Sequence, residues 1–115
     1  MEKLIRVIIQ RPMTIPRVTK IEPTLTKFRE IVGGDIEAIR IPNITDKGIT
    51  CFANMDGKRL MLTQNFALIT DGKIYDMLLG TALFVRHDKN GNPINLTDDD
   101  IKTVVVNLKL MELMR

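Results

Sequence analysis

Few side chains in this sequence have the chemistry that catalysis needs. The chain has one histidine, His87, and one cysteine, Cys51, so histidine-pair sites and intrachain disulfides are excluded. His87 precedes Asp88, which would suit general acid–base chemistry, but its place beside an Asn-Gly loop favours an exposed turn residue. Cys51 lies among apolar residues, which favours a small buried hydrophobe. We therefore predict no catalytic residue and expect that the protein is not an enzyme.

Three adjacent carboxylates, Asp98, Asp99 and Asp100, raise the question of a divalent metal. On one turn of a helix they point in different directions, and they suit the positive end of the helix dipole better than a shared ion. The sequence has no phosphate-binding loop, no Gly-x-Gly-x-x-Gly motif and no nucleophile elbow. We predict no metal site and no cofactor.

Side chains that could bind a ligand cluster around one predicted turn. Asn54 and Asp56 precede Lys58 and Arg59, and Asn65 follows shortly. Asparagine offers both a donor and an acceptor, and the two cations suit phosphate. The alternative is structural: Asn54 and Asp56 shape the turn, Lys58 is solvated and Asn65 caps a short helical turn. A second candidate site uses side chains at neighbouring strand ends: Arg40, Arg86 and His87.

The elements that must position these residues are short strands and two helices. Asp56-Gly57 is the strongest hairpin signal and predicts a returning strand over 59–62. Glycines 33 and 34 end a first helix that has Pro23 at its first position, and Thr97 caps a second. The predicted strands are 4–9 and 17–21 as a hairpin, 36–41, 49–53, 59–62 and 81–85, and Asp71-Gly72 predicts a tight turn before 74–75. The fold class is therefore α+β: one domain over 1–115, with a largely antiparallel five- or six-stranded sheet and two helices.

Apolar residues at helical spacing predict the buried stripe of each helix. Candidate stacking residues are Phe66 and Tyr75, although such aromatic residues more often lie in the core. The methionines could give a protein partner an adaptable surface. The predicted buried stripe is Leu25, Phe28, Ile31 and Val32 in the first helix and Ile101, Val104, Val105 and Leu108 in the second. The methionines that could form such a surface are Met55, Met61, Met77, Met111 and Met114.

Composition and charge exclude several classes of protein. The formal net charge is +3, and residues 1–30 hold seven basic against three acidic residues, which excludes an acidic DNA mimic. Aromatic residues are only 4 %, and Phe28 is the only one in the basic segment, so nucleic-acid binding is not favoured. No apolar run is long enough for a bilayer, and charges interrupt the first one. We expect a protein of the reducing cytoplasm, with no membrane partner.

Five segments, taken in order, resemble a small phage- and mobile-element-associated domain family of unknown function. The resemblance covers most of the chain, about residues 3–105, although 11–17 is richer in proline and arginine than the resemblance implies. The segments are Phe-Arg-Glu-Ile-Val-Gly-Gly-Asp-Ile-Glu-Ala at 28–38, Cys-Phe-Ala-Asn-Met-Asp-Gly-Lys at 51–58, Asn-Phe-Ala-Leu at 65–68, 74–85 with Asp76 and Gly80-Thr81, and Leu-Thr-Asp-Asp at 96–99.

The resemblance implies a role against bacterial defence, including CRISPR nucleases, in the host bacterial cytoplasm, and it brings no catalytic residues. We expect a phage-encoded anti-defence protein that sequesters a nucleotide-type immune signal without turnover, in a pocket between two copies of the chain. One alternative is a protein–protein inhibitor of a defence nuclease such as a CRISPR effector. Another is a nucleic-acid-binding accessory protein that uses the basic N-terminal quarter.

The nucleotide hypothesis makes a direct prediction. Replacing Lys58→Ala together with Arg59→Ala should weaken binding of a phosphorylated ligand at least about ten-fold, because a charge-assisted hydrogen bond contributes about 1.5 to 3 kcal/mol. Calorimetry with cyclic and ADP-ribose-type nucleotides would measure this. No heat with any of them at about 100 µM protein would contradict the hypothesis. Unchanged affinity in the double variant would move the site to Arg40, Arg86 and His87.

Overall fold

Alternating apolar residues build a largely antiparallel sheet that two helices and a hairpin cover. The computed structural model describes residues 3–113. The strands are β1 (Ile5–Gln10), β2 (Arg17–Ile21), β3 (Ile36–Ile39), β4 (Ile49–Asn54), β5 (Gln64–Thr70), β6 (Lys73–Leu79), β7 (Ala82–His87) and β8 (Pro93–Ile94), and the helices are α1 (Leu25–Val32), α2 (Asp98–Leu113) and a short 3-10 helix (Thr45–Lys47).

The strands form one large sheet and one separate hairpin. The order in the large sheet is β2-β1-β7-β4-β3, with β8 beside β7, and β5 pairs only with β6. Every pairing is antiparallel, and Ile8 in β1 lies opposite Phe84 in β7, which lies opposite Cys51 in β4. The predicted α+β class, the predicted β1–β2 hairpin and the predicted central place of β7 are confirmed.

The two faces of the large sheet pack against different layers, because neighbouring strand residues point to opposite faces. On one face α1 contributes Phe28 and Val32 to a buried cluster. On the other, α2 and the β5–β6 hairpin pack on Ile8 and Phe84. The first cluster also contains Val7, Ile9, Leu83 and Val85, and the second contains Phe66, Leu68, Val104 and Leu108.

Helix α1 ends at the predicted glycine but begins two residues later than predicted. The Thr24 hydroxyl accepts a hydrogen bond from the Lys27 N–H at 3.1 Å, so Thr24 is the N-cap. Pro23 therefore precedes the cap, and the prediction that it takes the first helical position is wrong. Gly33 closes the helix with φ 82°, the left-handed conformation that glycine adopts without strain.

Helix α2 is capped at its first turn. Thr97 and Asp100 bond reciprocally: the Asp100 N–H donates to the Thr97 hydroxyl at 3.0 Å and the Thr97 N–H to the Asp100 carboxylate at 2.9 Å. The predicted cap is confirmed. Val105, however, is 37 % exposed, because the buried stripe continues from Val104 through Leu108 to Met111. Neither helix within residues 3–113 is long and apolar enough to cross a bilayer.

Two strand predictions fail for reasons of topology. The predicted strand 59–62 is wrong: residues 55–61 form successive turns, and the chain returns to a strand only at Gln64. Both neighbours of β4 are already β3 and β7, so no place beside β4 is left for a returning strand. The predicted strand 36–41 ends at Ile39. Beyond it, the N–H and the carbonyl of Ile41 both bond to the Thr45 hydroxyl at the start of the 3-10 helix.

Replacing Asp100→Asn should lower the free energy of unfolding by about 2 to 4 kcal/mol at pH 7, because it leaves a half-buried guanidinium without its counter-charge. Arg86 donates to this carboxylate from Nε at 2.6 Å and from one terminal nitrogen at 2.7 Å. Urea denaturation would measure the loss. Asp99→Asn is the matched control: the Asp99 side chain is exposed on the same turn, and we expect less than about 0.5 kcal/mol.

The effect of Asp100→Asn should depend on pH. The hydrogen bonds from Arg86 and then from Thr97 hold the pKa of Asp100 below its ordinary value. The unfolded chain therefore takes up the proton first as the pH falls, so the stabilisation is complete above about pH 4 and is lost as the pH falls through the folded-state pKa. The difference between wild type and variant should shrink below pH 4, and a difference that stays constant to pH 2 would contradict this account.

Candidate functional site

Asn54, at the end of β4, ties the predicted binding turn to helix α1. Its side chain is buried, with only 5 % of the residue exposed. Its amide nitrogen donates to the Val32 carbonyl at 3.2 Å, and its amide oxygen accepts from the Asp56 N–H at 2.8 Å. A Cβ on Gly34 would lie 3.0 Å from the Asn54 amide nitrogen, so the glycine leaves room for this contact. Asn54 and Asp56 shape the turn, as the structural alternative predicts.

The two cations of this turn already have carboxylate partners. Lys58 Nζ lies 2.8 Å from an Asp76 carboxylate oxygen, and Arg59 lies 3.4 Å from Asp56. The hydrogen bond from Lys58 and then the Met77 N–H hold the pKa of Asp76 below its ordinary value. A small cavity of about 150 Å³ opens beside Asn54, Lys58 and Asp76. A phosphate bound there would have to compete with these carboxylates.

Asn65 does not join this turn. It lies in β5, not at a helical turn, so the prediction of a helix cap there is wrong. The side chain is buried, and its amide nitrogen donates to the Gln10 and Gly80 carbonyls, each at 2.8 Å. It lines a groove beside α2 instead of the cavity beside Lys58. The polar rim predicted for Asn54, Lys58, Arg59 and Asn65 is thus divided between two places.

The second predicted group also separates. Arg86 is bound to Asp100, which raises the pKa of the guanidinium further, and it donates to the Lys47 carbonyl at 2.9 Å. His87 Nδ1 lies 2.9 Å from the Thr50 hydroxyl, and burial lowers the pKa of its ring. His87 and the exposed Arg40 line an open depression of about 470 Å³ that Arg86 does not line.

Cys51 is fully buried in β4, as the sequence predicts, and desolvation raises the pKa of its thiol. A neutral buried thiol is a poor nucleophile and a poor metal ligand. Across the part of the chain that the structure describes, no three side chains of His, Cys, Asp or Glu lie close enough to hold a metal ion.

The most exposed apolar side chains lie in two loops, and sequence reasoning found only part of this set. Met55 and Met61 are 54 % and 85 % exposed, whereas Met111 is buried. Met77 is half-buried, and Met114 lies outside the described residues. Sequence reasoning missed Met13 and Ile15, which are 88 % and 84 % exposed between β1 and β2. The available signal was a pair of apolar residues between prolines, in a stretch that cannot pair as a strand.

Two of these exposed methionines also have strained backbones. Met13 has φ 61° and Met61 has φ 52°, the left-handed region that disfavours residues with a Cβ. Such a conformation costs an unbranched side chain about 1 kcal/mol. Neither a strained backbone nor an exposed apolar side chain stabilises the fold, so folding stability alone does not explain these two methionines.

Replacing Asn54→Ala should lower the free energy of unfolding by about 2 to 3 kcal/mol, because the Val32 carbonyl and the Asp56 N–H lose their partner. Lys58→Ala is the control from the same turn and should cost less than about 1 kcal/mol, since its ion pair with Asp76 is exposed. Urea denaturation of both variants would test this. Equal effects would show that Asn54 is not the residue that holds the turn.

Comparisons with known proteins yield one match. The family model described as "Domain of unknown function (DUF3846)" matches residues 5–109. No curated protein and no solved structure matches the chain. The matched range begins with β1 and ends within α2, so it includes every strand, all of α1 and the first three-quarters of α2. The chain belongs to the DUF3846 family, whose function is unknown.

Proposed function

We propose that this domain binds a partner protein, without turnover, through an apolar surface at one end of its large sheet. The observation that carries the proposal is the exposure of Met13, Ile15 and Met61, each above 80 %. With the half-exposed Met55 and Leu60 they form what we call the methionine surface. Burial of such a side chain contributes roughly 1.5 to 3 kcal/mol, so covering several of them at once favours association.

The topology brings the two segments of this surface to the same end of the sheet. β1 runs towards Gln10 and β4, two strands away, runs parallel to it towards Asn54. The loop 11–16 and the turns 55–63 therefore begin about 10 Å apart. The turns then lead to β5, where Asn65 bonds to the Gln10 carbonyl. The side chains of both segments can meet one partner.

The loop 11–16 is held in place before any partner binds. The Gln10 amide nitrogen donates to the Arg11 carbonyl at 2.9 Å and to the Thr14 carbonyl at 2.7 Å. The Thr14 hydroxyl donates to the Arg11 carbonyl at 3.0 Å. A loop ordered in this way loses little conformational freedom on association, which favours binding.

Charge indicates the chemistry of the partner. Arg11 and Arg17 flank the loop, are exposed and have no ion-pair partner among residues 3–113. We infer a partner that presents an apolar segment flanked by acidic residues. A second copy of this chain would bring the same arginines against each other around a two-fold axis, which disfavours a homo-oligomer through this surface.

This proposal is the protein-inhibitor alternative among the sequence-based hypotheses, reached from a different set of residues. A defence nuclease such as a CRISPR effector is the partner class that the family resemblance implies. Sequestration of a nucleotide signal stays a prediction, and the carboxylate partners of Lys58 and Arg59 count against that site. Two observations support binding without turnover: the Cys51 thiol is buried, and the His87 ring is hydrogen-bonded to the Thr50 hydroxyl.

The test is co-purification of the tagged full chain from bacteria that carry a defence nuclease, with quantitative mass spectrometry. Met13→Asn combined with Met61→Asn should reduce recovery of the partner at least about ten-fold. Asparagine tolerates the left-handed conformation, so the double variant should be as stable as wild type or up to about 1 kcal/mol more stable.

Ile74→Asn is the matched control, because Ile74 is 53 % exposed but lies at the far end of the β5–β6 hairpin. It should leave partner recovery unchanged. Equal recovery of the partner with the double variant and with wild type would contradict the proposal. Binding of the chain to anionic vesicles, with no protein partner recovered, would also contradict it. A loss of stability in the double variant would contradict the account of backbone strain.

A further inference from the structure

A groove of about 440 Å³ separates the loop 11–16 from the second half of α2. Its walls are largely apolar, and Pro16, Phe66, Val105 and Leu108 line it. Lys109 and Glu112 also line it and carry opposite charges, so the groove has no net charge preference. Its volume is in the range of sites for small molecules, about 300 to 1,000 Å³.

Gln10 gives this groove a polar group that folding leaves unused. The residue is only 7 % exposed, and its amide oxygen, Oε1, is itself buried and has no hydrogen-bond partner among the described residues. The orientation of the amide is fixed, since its nitrogen bonds to two carbonyl oxygens, those of Arg11 and Thr14. An unpaired buried acceptor costs free energy and is rare in folded proteins.

We propose that the groove is a binding site for an uncharged small molecule with an apolar body and one N–H or O–H donor. Oε1 is covered by its neighbours in this structure, so the donor would bond to it after a small movement of the adjoining loop 11–16, and the apolar body would lie against Phe66, Val105 and Leu108. A charged group would lose part of its hydration in these walls, and its attraction to one of Lys109 and Glu112 would be offset by repulsion from the other. This site goes beyond the proposed protein partner and rests on a different observation, although the loop that carries Met13 forms one wall of the groove.

A pair of isosteric probes tests the proposal on the full, isotope-labelled chain by NMR titration. Indole has an apolar double ring with one N–H, and benzofuran has the same shape with an oxygen in its place. We expect saturable shifts for residues of the groove with indole and at least about three-fold weaker binding of benzofuran, since a neutral hydrogen bond changes affinity about two- to ten-fold.

Two neighbouring helix positions supply the control. Val105→Trp places a large ring in the groove and should weaken indole binding more than about ten-fold. Val106→Trp changes the next residue, which is 50 % exposed and does not line the groove, and should leave affinity within about two-fold.

Both substitutions are at exposed helix positions, and urea denaturation would verify that the variants fold. The comparison of indole with benzofuran uses the wild-type chain, so it tests the hydrogen-bond donor without any variant. Absence of saturable shifts, or equal effects of the two tryptophan variants, would overturn the site. Equal affinity for indole and benzofuran would overturn the role of Gln10.

Discussion

The ion pair between Arg86 and Asp100 is the interaction on which the arrangement of the layers depends. Arg86 lies in β7, which has β1 on one side and β4 on the other, and Asp100 lies in the first turn of α2. Two short hydrogen bonds join them, and the same guanidinium bonds to the Lys47 carbonyl just before β4. Arg86 thus fixes where α2 starts on the sheet, together with Arg6 in β1, which donates to the Leu96 carbonyl and lies 3.0 Å from an Asp98 carboxylate oxygen. The later turns of α2, including Val105, then form a wall of the groove.

Local signals predicted the end of α1 and the start of α2, because the causes are local. Thr97 with Asp100, and Gly33, act within one turn of a helix, so their types and spacing are enough. The partner of Arg86 cannot be identified from its neighbours in the sequence. The sequence places an arginine at a strand end, where a ligand or a carboxylate fourteen residues away could equally be its partner, and only the packing of α2 decides between them.

The asparagines show the same limit for the candidate site. An amide side chain near a turn has the same sequence signature whether it binds a ligand or holds the backbone. Asn54 and Asn65 prove to be buried and bonded to carbonyls of distant segments. The missing strand after Asp56-Gly57 has a related cause: the turn signal is local, but the free edge that a returning strand needs depends on the order of the whole sheet.

The separation between the buried layers and the two loops has an evolutionary consequence. Neither loop 11–16 nor the turns 55–63 contributes a residue to the two buried clusters. Substitutions there cost little folding stability, so selection for a folded domain constrains them weakly. Lineages of such a domain can therefore diverge rapidly in these segments and follow a changing partner, while the sheet and the two helices beneath stay the same.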